Sequence, residues 1–366
     1  MARAYLPVPR PSDMTHAPMD LAVAIAEGMA RSGHNITFYA PTGARVRTAT
    51  ENLDLPPLAH DIAEFGELMA SEAKHSHNIL GLWDQYMARE MFERAQAGEY
   101  DLLHFHHPEA ALPFASLYPD VPVIYTVHDP IEAWFLEALK RYQSPNQFFV
   151  SISDNQRLTA PDLPYVATVY NGIDPNLFSY SDTADDFLLF TGRITPEKGV
   201  REAIEVAKTS GHRLIIIGPV YDDQKGYFDT EIKPHLGEQI TYLGLMERAK
   251  IAGYYQRAKA LLFPVKWEEP FGLTMIEAMS CGTPVIAFRR GSVPEVVDHG
   301  RTGFIVDTAT EMAAAVKQVD GLSRRDARNH VQQRFSNDHM VQGYLAAFGE
   351  ALERAKTHYP ATAKTV

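Results

Sequence analysis

Two glutamates carry the first chemical signal. Glu269 and Glu277 stand with seven residues between them in the run FPVKWEEPFGLTMIEAMSCGTPVIAFRRGSVPEVVDHGRTG, from Phe263 to Gly303. Pro270-Phe271-Gly272 reads as a turn, and a helix is expected to start near Gly272. Glu269 then sits at the mouth of that helix and Glu277 about one and a half turns inside. At about 1.5 Å of rise per residue, the two carboxylates are on the order of 10 Å apart. That is too far for a retaining glycosidase pair sharing one anomeric carbon. It suits two hydroxyl-rich groups bridged by a diphosphate. The backbone N–H groups of Gly272, Leu273 and Thr274 open the helix without intrahelical acceptors and suit phosphate oxygens. For one glutamate pair alone, a solvated Glu277 and a capping Glu269 are the simpler reading. The flanking residues reverse that preference.

The second motif is Thr191-Gly192-Arg193-Ile194-Thr195-Pro196-Glu197-Lys198-Gly199. It follows the expected strand Phe187–Thr191. In an open α/β sheet, ligands bind at the C-terminal ends of strands. Arg193 would offer a planar fork to a phosphate and Lys198 a point charge. Taken alone, surface charges flanking a loop are an equal reading. Lys198-Gly199-Val200 does not complete a Walker loop, which needs Gly-Lys-Ser/Thr. No Gly-x-Gly-x-x-Gly follows a first strand, which disfavours a dinucleotide oxidoreductase. No Asp-x-Asp pair is present, since Asp185-Asp186 and Asp222-Asp223 are adjacent.

These motifs need strands and helices in alternation to hold them. A short strand is expected near Ala4–Leu6, then a helix from Pro18 with Leu21, Ile25 and Met29 on one face. Further strands are expected at Ile36–Ala40, Leu102–Phe105, Val123–Val127, Phe148–Ile152 and Val166–Val169. A second series runs through Phe187–Thr191, Leu214–Ile217, Ile240–Leu243, Ala260–Phe263, Val285–Ala287 and Phe304–Val306. Arg201–Thr209 and Leu273–Ser280 read as helices between them. Alternation of this kind implies parallel sheets flanked by helices. Asn171–Asp186 is the expected linker. The stripe Val341, Tyr344, Leu345, Phe348 and Leu352 suits a terminal helix that packs back on the first lobe.

Composition sets the limits. The chain has 366 residues, 45% hydrophobic and 22% charged, with a formal charge of −12. Those are globular values for about two domains. The negative balance argues against nucleic acid or an anionic membrane as a broad partner. Cys281 is the only cysteine, so no intramolecular disulfide forms. No apolar run approaches the ~20 residues of a membrane helix, and the start lacks a signal-peptide core. A cytoplasmic protein is expected, with no membrane association indicated. His104 and His106, like His75 and His77, are spaced as metal pairs, but strand and surface histidines are the preferred reading. Cys281 reads as a small buried residue. Core packing is preferred for Trp134, Phe135, Leu139 and Tyr142.

The segments around Glu269 and Lys198 resemble the glycosyltransferases of family 4. Asn171-Gly172-Ile173-Asp174, Cys281–Ile286 and Pro294-Glu295 share the resemblance, which is strongest over Val166–Val306. It implies an α/β GT-B fold, two Rossmann-like doubly wound lobes with a cleft between them. Residues 1–172 would form an acceptor-side lobe, with helix 337–358 packing back on it, and 173–336 the nucleotide-sugar lobe. It implies transfer of a hexosyl group, with retention, from a UDP- or GDP-sugar to a small-molecule, glycan or lipid-linked acceptor. By the same resemblance Glu269 contacts donor-sugar hydroxyls, Glu277 the ribose, and Arg193 and Lys198 the diphosphate, in a donor site shared with Gly192, Phe271, Gly272, Leu273 and Thr274. His128, in Tyr125-Thr-Val-His-Asp-Pro130, matches the family's first-lobe histidine, so the catalytic set is Glu269, His128, Arg193 and Lys198. Pro9–His16 replaces the family's Gly-Gly turn. That loop is read as specialised for the acceptor, with Asp13, Thr15 and His16 as candidate contacts. Neither a cofactor nor a metal is expected beyond the nucleotide sugar. A sugar-nucleotide epimerase, a phosphorylase, or a catalytically silent sugar-nucleotide-binding protein are the alternatives on the same fold.

Overall fold

A computed structural model describes residues 1, 3–11, 17–75 and 79–358. The chain divides into two compact units, Met1–Tyr170 with Met340–Val366, and Asn171–His339. The first division lies just ahead of Gly172, and the second lies inside the terminal helix.

The first unit contains α1 (Ala17–Arg31), β1 (Thr37–Tyr39), β2 (Ala49–Glu51), α2 (Ile62–His75), α3 (Ile79–Gln96) and β3 (Leu103–Phe105). Then follow α4 (Pro108–Ala115), β4 (Val123–Thr126), α5 (Ala133–Arg141), β5 (Gln147–Ser151) and β6 (Tyr165–Thr168). Strands β3, β4, β5 and β6 make one parallel sheet in chain order, and β1 pairs with β2 separately. Leu21, Ile25 and Met29 of α1 are all buried, as their period requires.

The sequence expectation fails at Ala4–Leu6, which is a turn rather than a strand. The Ala4 N–H donates to the buried Asp84 carboxylate at 2.7 Å, and the Leu6 N–H donates to the Arg3 carbonyl at 3.4 Å. Pro7 and Pro9 have no N–H for a ladder. A second correction falls on α5. Leu139 is buried, but Trp134 is 70% exposed and Tyr142 45% exposed. Phe135 and Leu139 lie one turn apart on the face that packs inward, and Trp134 falls off that face.

The second unit contains β7 (Phe187–Thr191), α6 (Val200–Ser210), β8 (Arg213–Ile217), α7 (Lys225–Tyr227), β9 (Ile240–Tyr242), α8 (Arg248–Arg257) and β10 (Ala260–Phe263). After these come α9 (Leu273–Ser280), β11 (Val285–Phe288), α10 (Val293–Val296), β12 (Gly303–Val306), α11 (Ala309–Val316) and α12 (Arg324–Arg334). All six strands are parallel in the order β12-β11-β10-β7-β8-β9. Read from β9, that is the doubly wound order 3-2-1-4-5-6, whose direction reverses between β7 and β10. Both of those strands are buried throughout, as a sheet covered on both faces demands.

The last helix, α13 (Asn337–His358), opens in the second unit and runs into the first. Its buried residues are Met340, Val341, Tyr344, Ala347, Ala351 and Ala355. Leu345, Phe348 and Leu352 of the expected stripe are only half-buried. The alanines allow a close approach that the larger side chains would prevent.

The loop after β7 is fastened to the end of β10. Gly199 has φ 76°, and a Cβ there would overlap the Pro264 carbonyl. Gly211 has nearly the same φ, 75°, with nothing near its missing Cβ. Gly211→Ala is expected to lose about 1 kcal/mol from backbone strain alone. Gly199→Ala should lose about 1–3 kcal/mol more, because overlap is added to strain. Denaturant midpoints for the two variants measure the difference, and equal losses would show that the contact with Pro264 carries no energy.

Candidate functional site

The β7 loop is shaped by backbone bonds from the neighbouring strand end. The Gly192 N–H donates to the Ile217 carbonyl and the Ile194 N–H to the Pro219 carbonyl, both at 3.0 Å. A short turn, Pro196–Lys198, then delivers Lys198. Arg193 is exposed and makes no ion pair with a described residue. It is the uncommitted cation of this loop.

Lys198 reaches the segment after β10. Its Nζ donates to Glu269 Oε2 at 2.6 Å and lies 4.6 Å from the centre of the Trp267 ring. The Trp267 indole N–H donates to the same glutamate oxygen at 2.9 Å. Glu269 is 9% exposed. A carboxylate this buried needs a partner, and removing that partner strands its charge. The Glu269 backbone is held as firmly as its side chain. Its carbonyl accepts from the Ser292 N–H at 2.9 Å, and the Ser292 hydroxyl donates to the Phe271 carbonyl at 2.8 Å. Phe271 is itself core, edge-on to Phe335 at 5.9 Å, so its ring is committed to packing.

Gly272, at φ 79°, turns the chain into α9. Leu273 and Thr274 are half-buried at its first turn, and the Thr274 hydroxyl is buried with no hydrogen-bond partner. The first N–H groups of the helix have no intrahelical acceptor.

Glu277 is not a solvated helix residue. It is 9% exposed, and both its oxygens are engaged. Arg248 Nη2 donates to Oε1 at 2.8 Å. The Tyr255 hydroxyl donates to Oε2 at 3.1 Å and shares a 2.8 Å bond with Thr191 Oγ1. Burial, and then the Glu277 charge, push the Tyr255 phenol well above its ordinary range, so it stays a donor. Thr191 directly precedes Gly192. The buried phenol therefore ties the start of the loop after β7 to the glutamate of α9. Arg248 and Tyr255 are absent from the sequence expectation. They lie two turns apart on α8, which puts them on one helix face, and that spacing was the available signal.

In the first unit, His128 stands half-buried just past β4. Its Nε2 shares a 2.9 Å hydrogen bond with His106 Nδ1. His104 Nε2 bonds instead to Thr126 Oγ1 at 2.9 Å, which in turn meets the Tyr344 hydroxyl at 3.1 Å. Burial holds both His104 and His106 well below the ordinary histidine range, so both rings are neutral. Asp13, Thr15, His16 and His77 lie outside the described residues, as does the side chain of His75. Cys281 is buried, with its thiol pushed up to about 12 by burial. Among the described residues, no group of three His, Cys, Asp or Glu could hold a metal ion, and no helix is long and apolar enough to cross a membrane.

The family model described as Glycosyltransferase Family 4 matches residues 21–177, and that for Glycosyl transferases group 1 matches residues 178–337. The chain belongs to the family 4 glycosyltransferases. Among curated relatives of this glycosyltransferase, the glycogen synthase of Mycobacterium tuberculosis is 26% identical over 91% of this chain and 89% of its own length. The D-inositol 3-phosphate glycosyltransferase of Gordonia bronchialis is 31% identical over 50% of this chain and 44% of its own. Among solved structures, HepE of Anabaena with UDP and glucose has a TM-score of 0.67 at 18% identity, covering 95% of this chain and all of its own. A glycosyltransferase of Rickettsia africae reaches 0.68 at 17% identity, covering 91% and 94%. The fold of the glycosyltransferase is GT-B, with two Rossmann-like α/β units.

Tyr255→Phe keeps the ring of this glycosyltransferase and removes one hydroxyl. It leaves Glu277 Oε2 and Thr191 Oγ1 without that partner, which is expected to lower stability by about 1–3 kcal/mol. Urea titration of the variant measures this. A loss below about 0.5 kcal/mol would show that the buried junction contributes little.

Proposed function

We propose that this glycosyltransferase moves a hexosyl group, with retention, from a nucleotide-diphosphate sugar to a hydroxyl acceptor in the cytoplasm. The observation that carries the reading is the Lys198–Glu269 pair beside the opening turn of α9, at the β7–β10 reversal. One group there favours phosphate, the other sugar hydroxyls, and the distance between them is one hydrogen bond. HepE was solved with UDP-glucose, which supports a UDP-hexose among the candidate donors, with a GDP-hexose as the other.

In this mechanism Arg193, Lys198 and the N–H groups of Gly272, Leu273 and Thr274 hold the diphosphate. Each oxygen of Glu277 keeps one lone pair directed away from Arg248 and Tyr255, enough to accept from the two hydroxyls of a ribose. Glu269 accepts from the donor sugar. The bond from the sugar's anomeric carbon to the phosphate oxygen breaks. The acceptor oxygen bonds to that carbon on the same face, and the acceptor's proton passes to the departing phosphate oxygen. The charge that develops on the leaving group is met by fixed positive groups, the largest contribution such a site makes. His128 enters on its motif alone. The acceptor is a small molecule, a glycan or a lipid-linked sugar. No divalent ion is assigned a role, because Arg193 and Lys198 supply the positive charge.

Turnover of a panel of UDP- and GDP-sugars, read by mass spectrometry, tests the reaction. Activity is expected to persist in EDTA; full loss restored by magnesium would overturn the metal-free form. Lys198→Ala and Glu269→Ala should each lower kcat by roughly 100-fold with the fold intact. The double variant should be little worse than either single one, because the two side chains act as a pair. Near-normal turnover in both single variants would remove the site.

A further inference from the structure

Glu269 has two side-chain oxygens, and their surroundings differ. Oε2 accepts from two donors, the Lys198 ammonium at 2.6 Å and the Trp267 indole N–H at 2.9 Å. Oε1 accepts from none of the described residues, yet it is not a sealed polar atom without a partner. It therefore keeps accessible surface and is the oxygen open to a ligand.

The two donors on Oε2 are unlike. The ammonium is a point charge on a flexible four-carbon stem, with three N–H groups that rotate. It attracts a carboxylate without fixing the carboxylate's plane. The indole has one N–H, in the plane of a rigid ring, and no acceptor atom. Its direction of donation is set wherever the ring is set.

The ring is set by the backbone around it. The Glu269 N–H donates to the Trp267 carbonyl at 3.0 Å, a tight turn that brings the indole beside the carboxylate two residues on. The Gly291 N–H donates to Glu268 Oε2 at 2.8 Å, and a Cβ at Gly291 would overlap the Glu269 backbone. On the other side, the Lys266 N–H donates to the Glu197 carbonyl at 2.8 Å. The residues just ahead of Trp267 and of Lys198 are thus bonded to each other. Trp267 is half-buried, and the Lys198 ammonium lies over its ring, 4.6 Å from the centre. The indole meets Lys198 with its face and Glu269 with its edge.

We propose that Trp267 is a positioning residue of the donor site, which pins Glu269 Oε2 and so turns Oε1 toward the hydroxyls of the donor sugar. The proposal rests on the reading of Glu269 as the glutamate that meets that sugar, and Trp267 acts through it. Lys198 spends one N–H on Glu269 and has two left for phosphate oxygens. The carboxylate keeps its orientation while the cation serves the diphosphate.

Trp267→Phe keeps an aromatic face for Lys198 and removes the N–H. The experiment measures kcat/KM of the full chain with the UDP- or GDP-sugar that the donor panel selects, in two backgrounds. In the wild type, Trp267→Phe should lower kcat/KM by roughly 10-fold, the loss of one hydrogen bond to a charged group. In Glu269→Ala, the same substitution should cost less than about twofold, because the group it positions is gone. Inhibition by the free nucleoside diphosphate, which carries no sugar, should stay within about twofold in Trp267→Phe. A packing role would lower kcat/KM alike in both backgrounds and weaken the nucleoside diphosphate too, and that result would overturn the proposal. If Glu269→Ala loses turnover while Trp267→Phe does not, the part of Trp267 is overturned and that of Glu269 stands. If Glu269→Ala turns over normally, the donor-site reading fails and this proposal with it. Should Trp267→Phe not fold, Trp267→Tyr, whose ring also lacks that N–H, takes its place in the same cycle.

Discussion

The parallel pairing of β7 with β10 is the constraint on which the proposed donor site depends. Leu188 sits opposite Ala260 and Leu189 opposite Leu261, and all four side chains are fully buried. A register slip of one residue would turn that whole set toward the wrong face. Because the strands run the same way, their C-terminal ends emerge together. Because the winding reverses between them, the two following loops diverge and leave room. Lys198 and Glu269 come from those loops and meet at 2.6 Å. They are far apart in the chain, and neither could find the other without that sheet.

The formal charge of −12 makes the local arrangement of cations matter more. An anionic ligand is repelled by the field of the whole molecule, so attraction has to be concentrated. The three cations nearest the proposed site differ in how far they are committed. Arg193 is exposed and unpaired among the described residues. Lys198 is paired with Glu269. Arg248 is spent on Glu277. The sum of charges near the site is therefore a poor guide to its pull on phosphate, since only part of the positive charge is uncommitted.

Much of this was legible from residue types. The loop Gly192–Gly199 and the helix start at Gly272 follow from glycine, proline and charge placed around strong strands, and the observed strands other than β2 (Ala49–Glu51) fall where apolar runs stand. What stayed hidden was of two kinds. Ala4–Leu6 has a strand's composition, yet its backbone donor is captured by Asp84, eighty residues away in the chain, and proline removes the next donors. Trp134 looked like core because large aromatics usually are, but a nine-residue helix has only one face to bury. The partners of Glu277 were hidden for the same reason as Asp84. Arg248 and Tyr255 precede it by a whole strand, so their meeting is a property of the sheet and not of any motif. Helix α3 carries a plain helical period in Met87, Ala88, Met91, Phe92 and Ala95, all buried, and a reading led by motifs passes over it.

The buried phenol of Tyr255 has one further consequence. Ionised Glu277 can only accept a hydrogen bond. Tyr255 must then give its single proton to Glu277 and receive one from Thr191. The chain Thr191, Tyr255, Glu277 accordingly has a sense of direction, set by one negative charge at its end. A glutamine at position 277 would fill the same space but could donate back to the phenol, so the shape of the junction would survive while its polarity did not. What this corner of the protein stores is an orientation, and the smallest change that erases it is a single oxygen exchanged for nitrogen.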